Sequence, residues 1–366
     1  MATIGSAAPA QNTINYDSLL STTLFNYRKT MVDNIFKSNA FLAALKQNGG
    51  IDYSNGGERI AQPLMYETNN TVKSYRGYDQ IAVVPQEGMT TAFYPYAEVA
   101  GTITISRREE RQNNGEAALL NLLEKKILQA EMSIKAAINS QLVLGTVSSA
   151  TFVPGNDEKD LLPLGWFLRK LRATDPTSTE KVGAILAATY AWWKAQTADF
   201  STATPGTNSF AKAVTTYKGY LNALRTMYNT CANGADGTAP NLLLATQGSF
   251  ELYCNSIQDK VQYNDLKLAE IGFDSVKLRG ATMIYDELVP DIYTGTAAIT
   301  KGTVFFLNTK YYKLTIDKET DFVTTPFVEP ENQTAKTAKI LFMGNATSSN
   351  QRKLGVCVGI DETIAA

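Results

Sequence analysis

Residues 113–145, NNGEAALLNLLEKKILQAEMSIKAAINSQLVLG, place Leu119, Leu123, Ile127, Ala130, Ile134, Ile138 and Leu142 at steps of three or four. That spacing forms one apolar stripe on an α-helix. Asn114 is suited to cap its start and Gly145 to end it. Roughly thirty residues at about 1.5 Å each make a rod of about 45 Å, longer than the diameter of a small domain. One compact core cannot bury that length, so the helix is expected to act as a spine shared by two regions.

The chain before the spine is of the opposite kind. VKSYRGYDQIAVVPQEG (72–88) is rich in strand formers, but Lys73, Arg76, Asp79 and Glu87 interrupt it, and Tyr75 and Tyr78 sit near its middle. Strand-like sequence flanks it at about 58–65 and 92–105, with Gly56-Gly57, Gly77 and Gly88 as turn or bulge points. The result is roughly fifty residues of extended chain with little core face of its own. Alone it exposes unpaired strand edges, so it is expected to rest on a partner surface. Tyr and Arg at its tip are residue types that buried contact sites favour. The bland alternative is a mobile surface hairpin.

Elsewhere the pattern is mixed. YDSLLSTTLFNYRKTMVDNIFKSNAFLAALKQNGG (16–50) reads as one or two helices, capped by Asp17, broken near Ser38-Asn39 and stopped at Gly49. Residues 146–210 are irregular, with Trp192-Trp193 as packing anchors. SFAKAVTTYKGYLNALRTMYNTC (209–231) is helical by period, with Phe210, Val214, Tyr217, Leu221, Leu224 and Tyr228 on one face. NLLLAT (241–246) reads as a buried strand and QGSFELYCNSIQDKV (247–261) as a helix. Strands follow at SVKLRGATMIYD, TVFFLNTKYYKLTID, KTAKILFMGN and KLGVCVGI. The fold class is α+β, without strict βαβ alternation.

No histidine occurs in 366 residues. That removes Ser-His-Asp and Cys-His catalysis, histidine general bases and histidine metal ligands together. Cys231, Cys254 and Cys357 form no CxxC, sit in apolar surroundings and read as small core residues. Neither NGGIDYSNGGE nor CANGADGTAP has a phosphate-loop pattern. PGNDEKD clusters Asp157, Glu158 and Asp160 without EF-hand spacing, so it reads as a solvated loop. No catalytic, cofactor or metal site is expected. Lys+Arg 34 against Asp+Glu 35 gives no global basic field. The N-terminus lacks a signal-peptide pattern and no run is long enough to cross a membrane; three cysteines are too few for a disulfide framework, so a reducing cytosol at synthesis is expected. SRREER (106–111) packs five charges into six residues. Arg107, Arg108 and Glu109 form either a solvated helix-approach loop or a mixed-sign patch pairing with a neighbouring subunit, where it would fix register.

In their order, these segments resemble the major capsid protein of tailed double-stranded DNA bacteriophages, with the Hong Kong-type capsid fold. GGERIAQPL (56–64) is similar to the lead into that family's extended loop, and VGAILAATYAWWKAQ (182–196) to a stretch before its axial-domain helix. FDSVKLRGATMIYDE (273–287), VFFLNTKYYKL (304–314) and PFVEPENQTAKTAKILFMGNATSSNQRKLGVCVGI (326–360) resemble the closing part of one subgroup. The resemblance implies an N-terminal arm at 1–50 and an extended loop with the first peripheral strands at 51–105. It implies a peripheral domain at 106–179, with the spine at 113–145, an axial domain at 180–322, and returning peripheral strands at 323–366.

The implied function is a non-enzymatic shell subunit that forms pentamers and hexamers around non-specifically contacted DNA. The implied partners are copies of itself, a separate scaffolding protein, a portal and decoration proteins, with no membrane. Assembly would take place in the host cytoplasm and the product would be the virion. Lys73, Tyr75, Arg76, Tyr78, Glu87, Arg107, Arg108 and Glu109 are the candidate subunit-interface residues. Lys73 would be the candidate for the arm lysine that some members cross-link to a neighbour, but no matching asparagine and glutamate can be placed. The alternatives are an encapsulin-like nanocompartment, a histidine-free enzyme, and a surface-layer or tail-tube protein.

Overall fold

The structure, a computed structural model, describes residues 39–112, 122–148, 151–153, 156, 159–168, 181–186, 189–200, 214, 216–233, 236–257, 276–289, 301–331 and 333–362. Described residues within 100–133 and 324–340 form one compact unit, and those within 37–99, 134–323 and 341–366 form a second. The expected helices before Asn39, the start of the spine at 113–121, Phe210 and the Asp157-Glu158 pair lie outside the described residues.

Helix α1 (Ala40–Gln47) turns Ala40, Phe41, Ala44 and Leu45 inward. It ends at Gly49, whose φ of +69° glycine adopts without steric cost. Strand β1 (Ile51–Ser54) is followed by β2 (Arg59–Met65), β3 (Met89–Pro95) and β4 (Ala97–Ser106). The charged run read as a possible approach loop is a short helix, α2 (Arg107–Gln112). Its cap is reciprocal: Glu109 N–H donates to Ser106 Oγ at 3.1 Å, and Ser106 N–H donates to Glu109 Oε2 at 3.2 Å. The spine is α3 (Leu122–Val143). Ile134, Ile138 and Leu142 of its stripe are buried, while Ile127 and Ala130 are half-buried. The helix passes from the first unit into the second between Ser133 and Ile134.

Strands β5 (Thr146–Ser148) and β6 (Thr151–Val153) pair as a hairpin. After them come α4 (Leu164–Phe167), a 3-10 turn (Ala191–Trp193) and β7 (Gln196–Asp199). Helix α5 (Tyr217–Ala232) starts later than its periodicity predicts, leaving Val214 and Thr216 ahead of it. The β-branched run Val-Thr-Thr favours extended backbone. Thr216, at φ −142°, caps the helix by accepting from Gly219 N–H at 3.2 Å. The chain continues with β8 (Leu242–Ala245), α6 (Gln247–Ser256), β9 (Val276–Leu278), β10 (Ala281–Tyr285), β11 (Lys301–Leu307) and β12 (Tyr312–Asp317). It closes with β13 (Val323–Thr324), β14 (Ala335–Ser348), a 3-10 turn (Gln351–Lys353) and β15 (Gly355–Asp361).

The second unit contains a mixed sheet in the order β7-β15-β11-β8-β10-β9. β15 is parallel to β7 and β10 is parallel to β8, while β11 runs antiparallel to both β15 and β8. β8 is buried at every residue, as its unbroken apolar run predicts. Tyr220, Leu224 and Met227 of α5 and Phe250 of α6 share a core with Met283, Phe306 and Cys357 of the sheet. In the other sheet, β12 pairs antiparallel with β14 from Tyr312↔Ser348 to Ile316↔Gly344, and β1 lies parallel to β12. β4 and β13 also pair with β14.

One buried cation ties the entry to β15 to the loop after α5. The Lys353 side chain is 2% exposed; its Nζ donates to Ala232 O (3.1 Å) and Thr238 O (3.0 Å) and lies 2.9 Å from Asp236 Oδ1. Burial alone would raise the Asp236 pKa. Hydrogen bonds from Thr238 and Lys353, with the charges of Lys353 and Lys310, outweigh it and lower the pKa to about 2 from an ordinary 3.8. A carboxylate with a depressed folded-state pKa stabilises fully above its unfolded pKa and loses that contribution as pH falls through the folded value. Denaturant midpoints measured from pH 5 to pH 2 are therefore expected to fall more steeply in the parent than in Asp236→Asn. Lys353→Met is expected to cost about 3 kcal/mol at neutral pH, because two carbonyls lose their donor and Asp236 loses its nearest cation.

Candidate functional site

β2 and β3 form a two-stranded ribbon in continuous register from Arg59↔Pro95 to Met65↔Met89. Alternation gives the ribbon two unlike faces. Ile60, Leu64, Ala92 and Tyr94 are buried, whereas Arg59, Pro63, Met65, Met89 and Phe93 are exposed. The Tyr94 hydroxyl donates to Ser348 O at 2.7 Å. Burial pushes its pKa up, so it remains a neutral donor.

The ribbon edges are blunted by its own sequence. Phe93 N–H points away from β2 and donates to Gly183 O at 3.1 Å. In the observed register, Pro63 and Pro95 stand at the same outward-facing positions as Phe93, one on each edge. Each proline removes a donor that another strand would use.

A clasp formed by residues 182–186 and 189–193 holds the ribbon root. Trp193 is buried and its Nε1 donates to Val182 O at 3.0 Å. Gly183 has φ +60°, and a Cβ there would lie 2.8 Å from the Ala92 Cβ, so glycine allows the close approach. The Tyr66 ring stacks on Trp192 with centroids 5.3 Å apart and planes 18° apart. Trp192 in turn meets Trp193 edge-on at 5.6 Å.

The ladder closes where Tyr66 N–H donates to Gly88 O at 3.0 Å. Beyond that bond the strand-like sequence at 72–88 forms no strand. Its bonds are local: Arg76 N–H donates to Asp79 Oδ2 (2.9 Å), and Asp79 N–H donates to Arg76 O (3.1 Å) across a turn at Gly77. Propensity is present there, but no neighbouring strand completes a ladder. Lys73, Tyr75, Arg76, Tyr78 and Glu87 are all exposed on this loop, together with Val72, Ile81, Val83 and Val84. Nine of the fifteen large apolar side chains exposed among the described residues fall between Met65 and Phe93, so this stretch is the main unsatisfied apolar surface.

In the other unit, Arg107 and Arg108 are exposed on α2, but Glu109 is engaged within its own chain. Lys126 Nζ lies 2.8 Å from Glu109 Oε2 and also donates to Thr104 O at 3.1 Å. The Lys126 hydrogen bond lowers the Glu109 pKa, outweighing burial. The sequence carried the signals for this arrangement, the Ser106–Glu109 spacing and the spine lysine, although their partnership was not read from it. The stack of Tyr66 on Trp192 had no sequence signal, since the two residues are far apart in the chain. Among the described residues no group of three or more His, Cys, Asp or Glu is placed to hold a metal, and no helix is long and apolar enough to cross a membrane. Burial raises the Cys231 thiol to about 12 and the Cys357 thiol well above its ordinary value, which leaves both poor nucleophiles.

No family profile matches the sequence, and no curated protein matches it. Among solved structures, the chain is similar to the capsid asymmetric unit of cyanophage A-1(L). The TM-score is 0.63 at 12% identity, covering 93% of this chain and 97% of that one. It is also similar to the holo-SrpI encapsulin complex of Synechococcus elongatus, with TM-score 0.54, 11% identity and coverage of 94% and 96%. The capsid of Myoviridae phage XM1 gives 0.52 at 10% identity, covering 93% and 98%. The chain has the Hong Kong-type capsid fold, along nearly its whole length.

The clasp makes a local stability claim. Trp192→Ala is expected to lower global stability by only about 1 kcal/mol. Hydrogen–deuterium exchange should nevertheless accelerate at the amides of 60–66 while the β8 and β11 amides keep their protection. Equal acceleration at both places would show that Trp192 supports the whole unit and not the ribbon root.

Proposed function

We propose that this chain is a structural shell subunit, the major capsid protein of a tailed bacteriophage, assembling as pentamers and hexamers into a closed icosahedral head around double-stranded DNA. The observation that carries this reading is the loop from Tyr66 to Gly88, held firmly at its root and, among the described residues, covered with exposed apolar side chains. The similarity to phage capsid structures supplies the kind of partner, namely another copy of the same chain. In this reading 51–105 overlies the neighbouring subunit, 113–145 is the spine of a peripheral domain completed by 323–366, and 180–322 is the axial domain.

Magnitudes favour many weak contacts over one strong contact. Burying four such side chains contributes about 6–12 kcal/mol, and association costs on the order of 4–15 kcal/mol. A single loop contact is therefore close to neutral, and closure with many contacts per subunit drives assembly. The net charge of −1 keeps crowded copies from repelling one another. Scaffolding, portal and decoration proteins would be further partners, and scattered lysines and arginines would suffice for DNA without sequence readout. A second reading, a protein nanocompartment, is favoured by the similarity to an encapsulin and differs in its contents.

Electron microscopy of the purified chain, alone and with its co-expressed gene neighbours, is expected to show closed icosahedral particles. Nucleic acid inside them supports the phage reading, and a protein cargo supports the nanocompartment. Joining Tyr66 directly to Gly88 through Asn-Gly removes the loop while preserving the ladder. That variant is expected to remain folded by circular dichroism and to yield at least tenfold fewer closed particles. Normal yields would refute the role given to the loop.

A further inference from the structure

Four asparagines in the chain are followed directly by glycine: Asn48, Asn55, Asn114 and Asn233. Asn48 and Asn55 lie, each with its glycine, among the described residues, and their surroundings differ. Asn48 Nδ2 donates to Ala44 O at 2.8 Å, and Gly49 N–H donates to Lys46 O at 3.3 Å. That carboxamide is tied, and the acceptor at the Gly49 nitrogen is a carbonyl, which takes no proton. Asn55 is exposed in the turn between β1 and β2, and its carboxamide makes no hydrogen bond among the described residues. Gly56 N–H donates to a carboxylate, Asp317 Oδ1, at 3.0 Å. The turn is held on both sides: Lys318 N–H donates to Ser54 O at 3.1 Å, and the Tyr96 hydroxyl donates to Gly56 O at 3.2 Å. Gly56 has φ +65°, and a Cβ added there would meet nothing within 4 Å, so the turn is open on that side. Asp317 is itself fixed, because Thr320 Oγ1 donates to its Oδ2 at 2.8 Å and leaves Oδ1 to Gly56. The hydrogen bonds from Thr320 and Gly56 lower its pKa, so the carboxylate is ionised at neutral pH.

We infer that Asn55-Gly56 is a site of self-catalysed deamidation, with Asp317 as its base. The Gly56 nitrogen attacks Asn55 Cγ while its proton passes to Asp317 Oδ1. The new N–Cγ bond forms, the Cγ–Nδ2 bond breaks, and the amide leaves with that proton as ammonia. The resulting ring is a succinimide, and water opens it at either carbonyl to leave aspartate or isoaspartate at position 55. Water enters and ammonia leaves, so the sequence of steps needs no oxidant and no cofactor. Geometry carries the inference, since 3.0 Å is within the hydrogen-bond reach required of a general base. A backbone amide is a very weak acid, and a carboxylate fixed on its proton does what bulk hydroxide does only in alkaline solution. Either product places a second carboxylate beside Asp317, and isoaspartate also lengthens the backbone by a methylene. Like charges so placed repel, which weakens the Gly56–Asp317 bond where the chain enters the ribbon. The inference concerns this turn alone and stands apart from the shell reading.

Isotope labelling tests the assignment. The folded full chain is incubated in heavy-oxygen water at neutral pH and then digested in ordinary water. Mass spectrometry with fragment ions reads the label separately at positions 48 and 55 and distinguishes aspartate from isoaspartate. Asn55 is expected to convert at least about tenfold faster than Asn48, and Asp317→Asn to slow Asn55 by at least about tenfold while leaving Asn48 as it was. In denaturant both sites present the same Asn-Gly chemistry and are expected to convert at nearly equal rates. Because Asp317 is already ionised, the folded-state rate at Asn55 should also rise less steeply with pH than the denatured rate. If circular dichroism shows that Asp317→Asn does not fold, the comparison of folded with denatured parent and its pH dependence take its place. A folded parent in which Asn55 converts no faster than Asn48, or follows pH as steeply as in denaturant, overturns the assignment. A folded Asp317→Asn that converts at the parental rate overturns it as well.

Discussion

A two-stranded ribbon is at best marginally stable in water, so what this molecule can do with its loop depends on how the ribbon root is gripped. The grip has three parts with different chemistry. Ile60, Leu64, Ala92 and Tyr94 bury one face, the Phe93 N–H is taken by Gly183, and Tyr66 stacks on Trp192. All three lie at or before the Tyr66–Gly88 bond, and beyond it Val72, Tyr75, Tyr78, Ile81, Val83 and Val84 are exposed. The division turns a flexible excursion into one with a fixed point of departure. On the shell reading, only the distal part would need to order on contact, which lowers the entropic cost of binding.

The rest of the second unit supplies a firm base for that grip. β11 joins the parallel pairs β7–β15 and β8–β10 into one mixed sheet, and the Tyr220, Leu224 and Phe306 core closes one of its faces. Buried Lys353 is saturated by two carbonyls and Asp236, so the charge serves as a three-point tie instead of a flaw in the core. The spine α3 sinks deeper toward its C-terminal end, where Ile134, Ile138 and Leu142 lie within the second unit.

Much of this was legible in the sequence wherever period and burial coincide. LLLA is a strand because it is apolar at every position, and α3 and α6 follow their patterns. Errors arose where local chemistry overrode the pattern. The helical period around α5 continues through Val214 and Thr216, yet β-branching and a threonine cap delay its start. SRREER reads as loop by charge density until Ser106 and Glu109 are seen as a reciprocal cap. Residues 72–88 have strand propensity with no strand to pair with, because propensity describes fit to a sheet that must already exist. The chain also resembled capsid proteins in the order of its segments, and the fold bears this out.

On the proposed shell reading, Pro63 and Pro95 would carry a consequence for how a shell corrects its mistakes. Backbone zippering between strands is cooperative and slow to undo, so subunits joined that way in a wrong orientation would be trapped. With a proline interrupting each ribbon edge, any strand pairing there is short and easier to release. On that reading, growth would remain reversible until the last gaps are filled.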